Sequence, residues 1–217
     1  MLQFVEFEKF YGNYPALKID NLIIDPGIYW IKGANGSGKS TLLKSIAGIL
    51  AFNGDIILDG DVSIKKQPAG YRKLVNFAEA EPLFPDFLTG REMVDLFVSA
   101  KGAAAGQEQE FLESMKMQTY IDRPIGTYSS GMLKKLSLVL AFLGKPKLIL
   151  LDEPLITIDV ESLKILYSWI GEQSRVNGVS FMLSSHQALD ADELPEAIEL
   201  LVEAQTLQVN NNETATY

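Results

Sequence analysis

Gly33-Ala34-Asn35-Gly36-Ser37-Gly38-Lys39-Ser40-Thr41 decides how this chain is read. The stretch satisfies the pattern G-x-x-x-x-G-K-[ST], and it lies between a β-like segment and a helical one, as a phosphate-cradling loop requires. Glycines at 33, 36 and 38 let successive N–H groups turn inward toward an anion. The helix that follows directs its positive end at the same point. In this pattern Lys39 reaches the β- and γ-phosphates of a nucleotide and the Ser40 hydroxyl ligates Mg²⁺.

Working outward, Leu2 to Glu8, Ile19 to Ile24 and Gly27 to Lys32 read as short β stretches, the last running straight into the loop. After the loop, Leu42, Leu43, Ile46, Ile49 and Leu50 recur on one face of a helix. Asn53-Gly54 and Asp59-Gly60 are read as turns bracketing a strand, Asp55 to Leu58. From Pro82 to Tyr128 the periodicity is helical, in Met93, Leu96, Phe97 and Ala100 and then Phe111, Leu112 and Met115, so this segment is expected to be an inserted helical lobe. Leu148 to Leu151 is apolar without alternation, as in a parallel strand covered on both faces. Another helix is expected over Leu163, Leu166, Tyr167 and Ile170, a buried strand over Val179 to Ser184, and a closing hairpin over Ala197 to Val209. Residues 210–217 are expected to fray.

Composition narrows the classes. The 217 residues are 47% hydrophobic and 22% charged, which suits one α/β domain with an insertion. The longest apolar run near Leu136 to Leu143 is far shorter than the roughly 20 residues that span a bilayer. Met1 to Phe10 mixes Glu6, Glu8 and Lys9 with aromatics, unlike a secretory leader, so a cytoplasmic location is expected. With no cysteine and one histidine, any metal must be a hard cation held by oxygens. The net charge of −9 argues against nucleic acid as the main partner, so phosphate binding must be local.

A phosphate loop is shared by kinases, GTPases and motors, so other residues must decide. Leu148-Ile-Leu-Leu-Asp152-Glu153 ends a buried strand in two carboxylates at the sheet edge where open α/β sheets bind ligands. Asp152 suits the hydrated Mg²⁺, and Glu153 suits orienting and deprotonating an attacking water.

With these residues in place, the chain resembles the nucleotide-binding cassette of ABC ATPases from about Leu2 to Val209. Tyr128-Ser129-Ser130-Gly131-Met132 is similar to that family's L-S-G-G-Q signature and precedes the Asp-Glu strand at the family's spacing. The resemblance implies a RecA-like core with a mostly parallel sheet, an N-terminal antiparallel β-subdomain and an inserted helical subdomain. In residues, that is a core of 1–81 and 129–209 with a helical subdomain of 82–128. Ser129 and the amides of Ser130 and Gly131 open a helix running to Leu143, a second anion-binding helix N-terminus. In the family this end and the phosphate loop lie far apart, which implies a head-to-tail dimer of two cassettes, homo- or heterodimeric, with each ATP between the loop of one and the signature of the other.

The same resemblance assigns Tyr11 to the aromatic on which adenine stacks, Asp159 to a loop aspartate that communicates across the dimer, and His186 to a histidine contacting the γ-phosphate and the catalytic glutamate. Read by itself, Tyr11 is a packing aromatic, and His186 is either a site residue or a surface one. The chain departs from the pattern at Ser130, Met132 and Ala80, the last standing where the family usually has a glutamine that senses Mg²⁺ and water. Either Glu79 or Glu81 replaces that glutamine, or the tract carries no such side chain.

The implied function is the ATP-hydrolysing subunit of a transporter whose membrane-spanning subunits are separate chains, peripheral on the inner face of the membrane. Leu83, Phe84 and Phe87 are either exposed anchors for those subunits or part of the lobe's core. A soluble ABC ATPase outside transport, or a nucleotide-dependent regulatory protein, is the alternative.

Overall fold

The computed structural model describes residues 1–186, 189–190 and 192–210. Strands β1 (Leu2–Tyr11) and β2 (Tyr14–Ile24) form a long antiparallel hairpin that turns at Gly12-Asn13. With β4 (Asn53–Leu58) and β5 (Val62–Ser63) they make a four-stranded sheet in the order β2-β1-β4-β5. The second sheet contains β3 (Ile28–Lys32), β6 (Val75–Ala78), β7 (Leu148–Asp152), β8 (Ser180–Ser184), β9 (Ile198–Glu203) and β10 (Thr206–Asn210), in the order β10-β9-β3-β8-β7-β6. Every pairing in it is parallel except β10 with β9. The expected α/β class with a mostly parallel sheet and an N-terminal antiparallel sheet is therefore what the chain adopts.

All five residues of β7 are buried, because the parallel sheet is covered on both faces. Leu148 and Leu150 point to one core and Ile149 and Leu151 to the other, the period-2 alternation of a strand. The first core lies between the two sheets around α1 (Lys39–Ile46), whose Leu42, Leu43 and Ile46 pack with Phe4, Phe7, Tyr29 and Ile31. Across the sheet, the second core gathers α5 (Ser130–Phe142) and α6 (Val160–Asn177). Between β6 and α5 the chain forms α3 (Gly90–Lys101), α4 (Gln107–Ser114) and a short 3-10 turn at Ile125–Thr127. Met93, Val94, Phe111 and Leu112 join the second core, so these helices share it. Thr89 opens α3 with a reciprocal capping box to Glu92.

Some local readings are corrected. Asn53-Gly54 is no turn: both residues lie inside β4, opposite an irregularity in β1 where Glu6 takes φ +47°. Gly54 has φ +79°, and a Cβ there would come within 2.1 Å of the Glu6 carbonyl oxygen. The glycine thus serves a bulge. Helix α1 ends at Ile46, so Ile49 lies beyond it, exposed. The short elements β5, β6 and α2 (Pro68–Leu74) come in addition to those the sequence pattern predicts. Of the tail expected to fray, Asn210 instead ends β10, paired with Glu199 of β9, and residues 211–217 lie outside the described residues.

Asn76 shows how edge strand β6 is fixed. It is buried, and its amide donates to the carbonyls of Ala141 at 2.7 Å and Leu143 at 2.8 Å, at the C-terminal end of α5. Asn76→Leu leaves both buried carbonyls without that donor and is expected to cost about 1–3 kcal/mol, measured by urea unfolding.

Candidate functional site

The phosphate loop leaves β3 at Gly33 and enters α1 at Lys39. Gly33 takes φ +151°, and a Cβ on it would sit 2.5 Å from both Ser37 Oγ and the Val202 carbonyl. Gly36 and Gly38 also have positive φ, at +79° and +110°. Gly38 is the N-cap of α1 and has no side chain to accept from its first-turn amides, so these face the cleft without a side-chain cap. Lys39 is buried and its Nζ donates to the carbonyls of Gly33 at 2.8 Å and Ala34 at 3.3 Å, folded back over the loop.

An open cleft of about 360 Å³ is lined by Asn35, Gly36, Gly38, Lys39, Ser40, Thr41, Glu153 and His186. At its base the Ser40 hydroxyl donates to Asp152 Oδ1 at 3.1 Å. Asp152 ends β7, is 1% exposed, and its Oδ1 accepts a second bond from Ser184 Oγ at 2.6 Å. Ser184 Oγ in turn accepts from the backbone N–H of Glu153 at 3.0 Å. The residue after the strand, Glu153, turns in the left-handed region at φ +46°, a strained conformation for a side-chain-bearing residue. That turn aims its carboxylate at the cleft, where Oε1 lies 3.2 Å from His186 Nε2 and Oε2 accepts from the His186 N–H at 3.3 Å. Ser40, Asp152, Ser184, Glu153 and His186 are therefore one connected polar chain across the ends of α1, β7 and β8. Ser184 carries little signal in the sequence, only a hydroxyl closing an apolar strand.

A second hollow adjoins the loop, lined by Tyr11, Tyr14, Ala16, Gly36, Ser37, Gly38, Thr41, Ala204 and Gln205. Tyr11 is half exposed rather than packed in a core, and its hydroxyl is 3.3 Å from Thr41 Oγ1. Tyr14 pairs with it across the hairpin turn and is also exposed.

Ser129, Ser130 and Gly131 do not line this cleft. Ser129 is the N-cap of α5 and its hydroxyl accepts from the Met132 N–H at 3.3 Å, while Ser129 and Ser130 are exposed. Met132 packs against the second core, which accounts for an apolar side chain there. A Cβ on Gly131 would meet the Thr157 carbonyl at 2.9 Å, so the glycine admits a close approach of the loop after β7. Asp159 also lies outside the cleft: it caps α6 through Ser162 and pairs with Lys135 of α5 at 2.8 Å. The Lys135 ammonium first, and then the Ser162 N–H, hold its carboxyl well below the usual carboxylate range. Neither candidate for the missing glutamine reaches the cleft: the Glu79 carboxylate pairs with Lys44 of α1, and Glu81 is exposed.

The donor set suits a triphosphate and a hard cation. Lys39 and the uncapped amides of α1 face an anion, and Ser40 and Asp152 offer the oxygens Mg²⁺ prefers when phosphates complete its shell. Among the described residues there is no cluster of three or more His, Asp or Glu that would form an all-protein metal cage.

A phosphate loop on a mostly parallel sheet, flanked by an N-terminal antiparallel sheet and followed by a helix opening at Ser129, defines an ATP-binding cassette. Residues 18–156, more than half of the sequence, match the ABC transporter family, and the chain belongs to that family, whose cassettes are ATPases. It is 35% identical over 190 residues to the cytochrome c biogenesis ATP-binding export protein CcmA of Legionella pneumophila, covering 87% of this chain and 94% of that protein. It is 29% identical over 205 residues to ATP-binding cassette sub-family A member 7 of Rattus norvegicus, and spans only 9% of that protein's length. Among solved structures, an ATP-binding subunit of an ABC transporter superposes with a TM-score of 0.86 at 22% identity, over 97% of this chain and 90% of that one. A dimeric cassette in a post-hydrolysis state bound to ADP and Pi gives 0.79 at 21% identity, over 96% and 97% of the two chains.

Proposed function

We propose that this chain is the ATP-binding and ATP-hydrolysing cassette of an ABC transporter, energising separate membrane-spanning subunits through closure of a cassette dimer. The observation that carries the reading is the connected series from Ser40 through Asp152 and Ser184 to Glu153 and His186, facing Lys39 across one cleft. Lys39 and the amides of residues 36 to 41 hold the phosphates, and Tyr11 offers its exposed ring to the adenine. Ser40 and Asp152 are the ligands for Mg²⁺, which when bound offsets the charge gathering on the phosphate oxygens. Glu153 takes the proton of the attacking water at a carboxylate oxygen, and His186 holds that carboxylate toward the cleft.

Ser129, Ser130 and Gly131 open α5 on the surface, away from the cleft of their own chain, and this supports a site completed by the signature of a second cassette. Asp159, tied to α5 by Lys135, links the loop after β7 to that same helix end. Leu83 and Phe87 are 90% and 82% exposed just before α3, whereas Phe84 packs against the second core. Leu83 and Phe87 are the apolar anchors for a membrane subunit, with 82–128 as the docking lobe. No helix among the described residues is long and apolar enough to cross a membrane; in this reading the cassette sits peripherally on the inner face, where its membrane subunits hold it. Similarity to an export cassette over nearly its whole length supports transport over a soluble role.

Affinity purification from mildly solubilised membranes is expected to recover integral-membrane partners with the wild type. The double variant Leu83→Asp/Phe87→Asp should lose them while hydrolysing ATP normally in isolation. Recovery of soluble partners alone would overturn the transporter assignment.

A further inference from the structure

Lys134 lies two residues past the signature stretch Tyr128 to Met132 and is among the most completely buried side chains of the described residues, at 1% exposed. It lies on α5 one turn after Ser130, and its ammonium carries three N–H groups. Three backbone carbonyls surround it: Asp152 at 2.9 Å, Glu79 at 3.0 Å and Ala80 at 3.4 Å. A buried cation persists only where each of its donors is met, and here the acceptors come from two separate functional segments. One is the end of β7 that presents Asp152 and Glu153; the other is the tract between β6 and the helices of 82–128. On its far side that tract is held by the Glu79 pair to Lys44 of α1. Neither Glu79 nor Glu81 lines the cleft, and the alanine at position 80 has no polar side chain to send there.

We propose that Lys134 is a positioning residue for hydrolysis, its ammonium clamping the carbonyls of Glu79 and Ala80 to that of Asp152. The link that a glutamine side chain would make from this tract to the reacting centre is thereby made through backbone, from one turn inside α5. Displacement of the helices of 82–128, or of the α5 N-terminus by a second cassette, is transmitted to the strand end that carries Glu153. The inference rests on the ATPase assignment for its effect on turnover, but the clamp itself can be read without activity.

The test compares Lys134→Met, which keeps the apolar stem and removes the donors, with Val139→Ala, which opens a cavity in the same helix and removes no hydrogen bond to the tract. Hydrogen exchange of the full chain without nucleotide is expected to be at least about threefold faster in residues 77–84 and 150–156 for Lys134→Met, and unchanged there for Val139→Ala. Steady-state kinetics should show kcat reduced roughly 10- to 100-fold in Lys134→Met with KM for ATP little altered, the mark of lost alignment rather than lost binding. Lys134→Gln, with one shorter donor group, should fall between the two and serves if the methionine variant does not fold. The clamp is overturned if either Lys134 variant exchanges like wild type in both segments, or if Val139→Ala reproduces both effects. A wild type without ATP turnover but with the expected exchange pattern would instead overturn the ATPase assignment and leave the clamp standing.

Discussion

Glu153→Gln is expected to lower ATP turnover by roughly 10²- to 10⁴-fold, the range for loss of a positioned general base, while nucleotide affinity stays near that of wild type. The carboxylate touches His186 through both oxygens, at 3.2 and 3.3 Å, and makes no bond to the phosphate loop. An amide of the same shape keeps one acceptor for the His186 N–H but cannot accept a proton from water. The backbone at Glu153, fixed at φ +46° and tied to Ser184, is untouched by the change. The loss should therefore appear in kcat and not in equilibrium binding of a fluorescent ATP analogue. Undiminished turnover would show that another group is the base.

Lys39→Met should act on the other half of the cleft and with the opposite signature. Its Nζ is the cation poised over the loop, held by the carbonyls of Gly33 and Ala34. Truncating one partner of a buried charged contact costs about 2–5 kcal/mol, so ATP affinity is expected to fall at least ~30-fold. The methionine keeps the buried stem of Lys39 packed, so the midpoint of thermal unfolding without nucleotide should move little. At a given ATP concentration, nucleotide-dependent stabilisation should shrink by about 2 kcal/mol or more, or be lost where it was smaller, because stabilisation by a ligand grows with its affinity for the folded state. Undiminished stabilisation by ATP in Lys39→Met would place the phosphates elsewhere.

The parts of the fold and site that could be read in the sequence are those whose physics is local. The phosphate loop is contiguous, β7 is an unbroken apolar run ending in two acids, and Ser129 caps a helix whose apolar residues follow at once. What escaped depends on partners distant in the chain. Strand β6 is four residues long with an asparagine in it, and Asn76 is explained only by carbonyls 65 and 67 residues away. Lys134 looks like an ordinary polar position in an amphipathic helix until carbonyls 18, 54 and 55 residues away surround it. Ser184 acquires meaning only when parallel pairing sets it opposite Asp152. Asn53-Gly54 carries the letters of a hairpin turn, but the same left-handed preference of glycine serves a bulge against Glu6. Among three neighbouring apolar residues, Leu83, Phe84 and Phe87, the sequence holds no signal that only Phe84 packs inward.

In the proposed function this cleft hydrolyses ATP once a second cassette completes it. Its most direct test is the specific ATPase activity of the purified protein with Mg²⁺, followed across a range of protein concentrations. If the active species is the proposed dimer, turnover per molecule rises as protein concentration increases and is absent in Lys39→Met at every concentration. Turnover no greater than that of Lys39→Met, or specific activity independent of concentration down to dilutions where sedimentation shows only monomer, would contradict it.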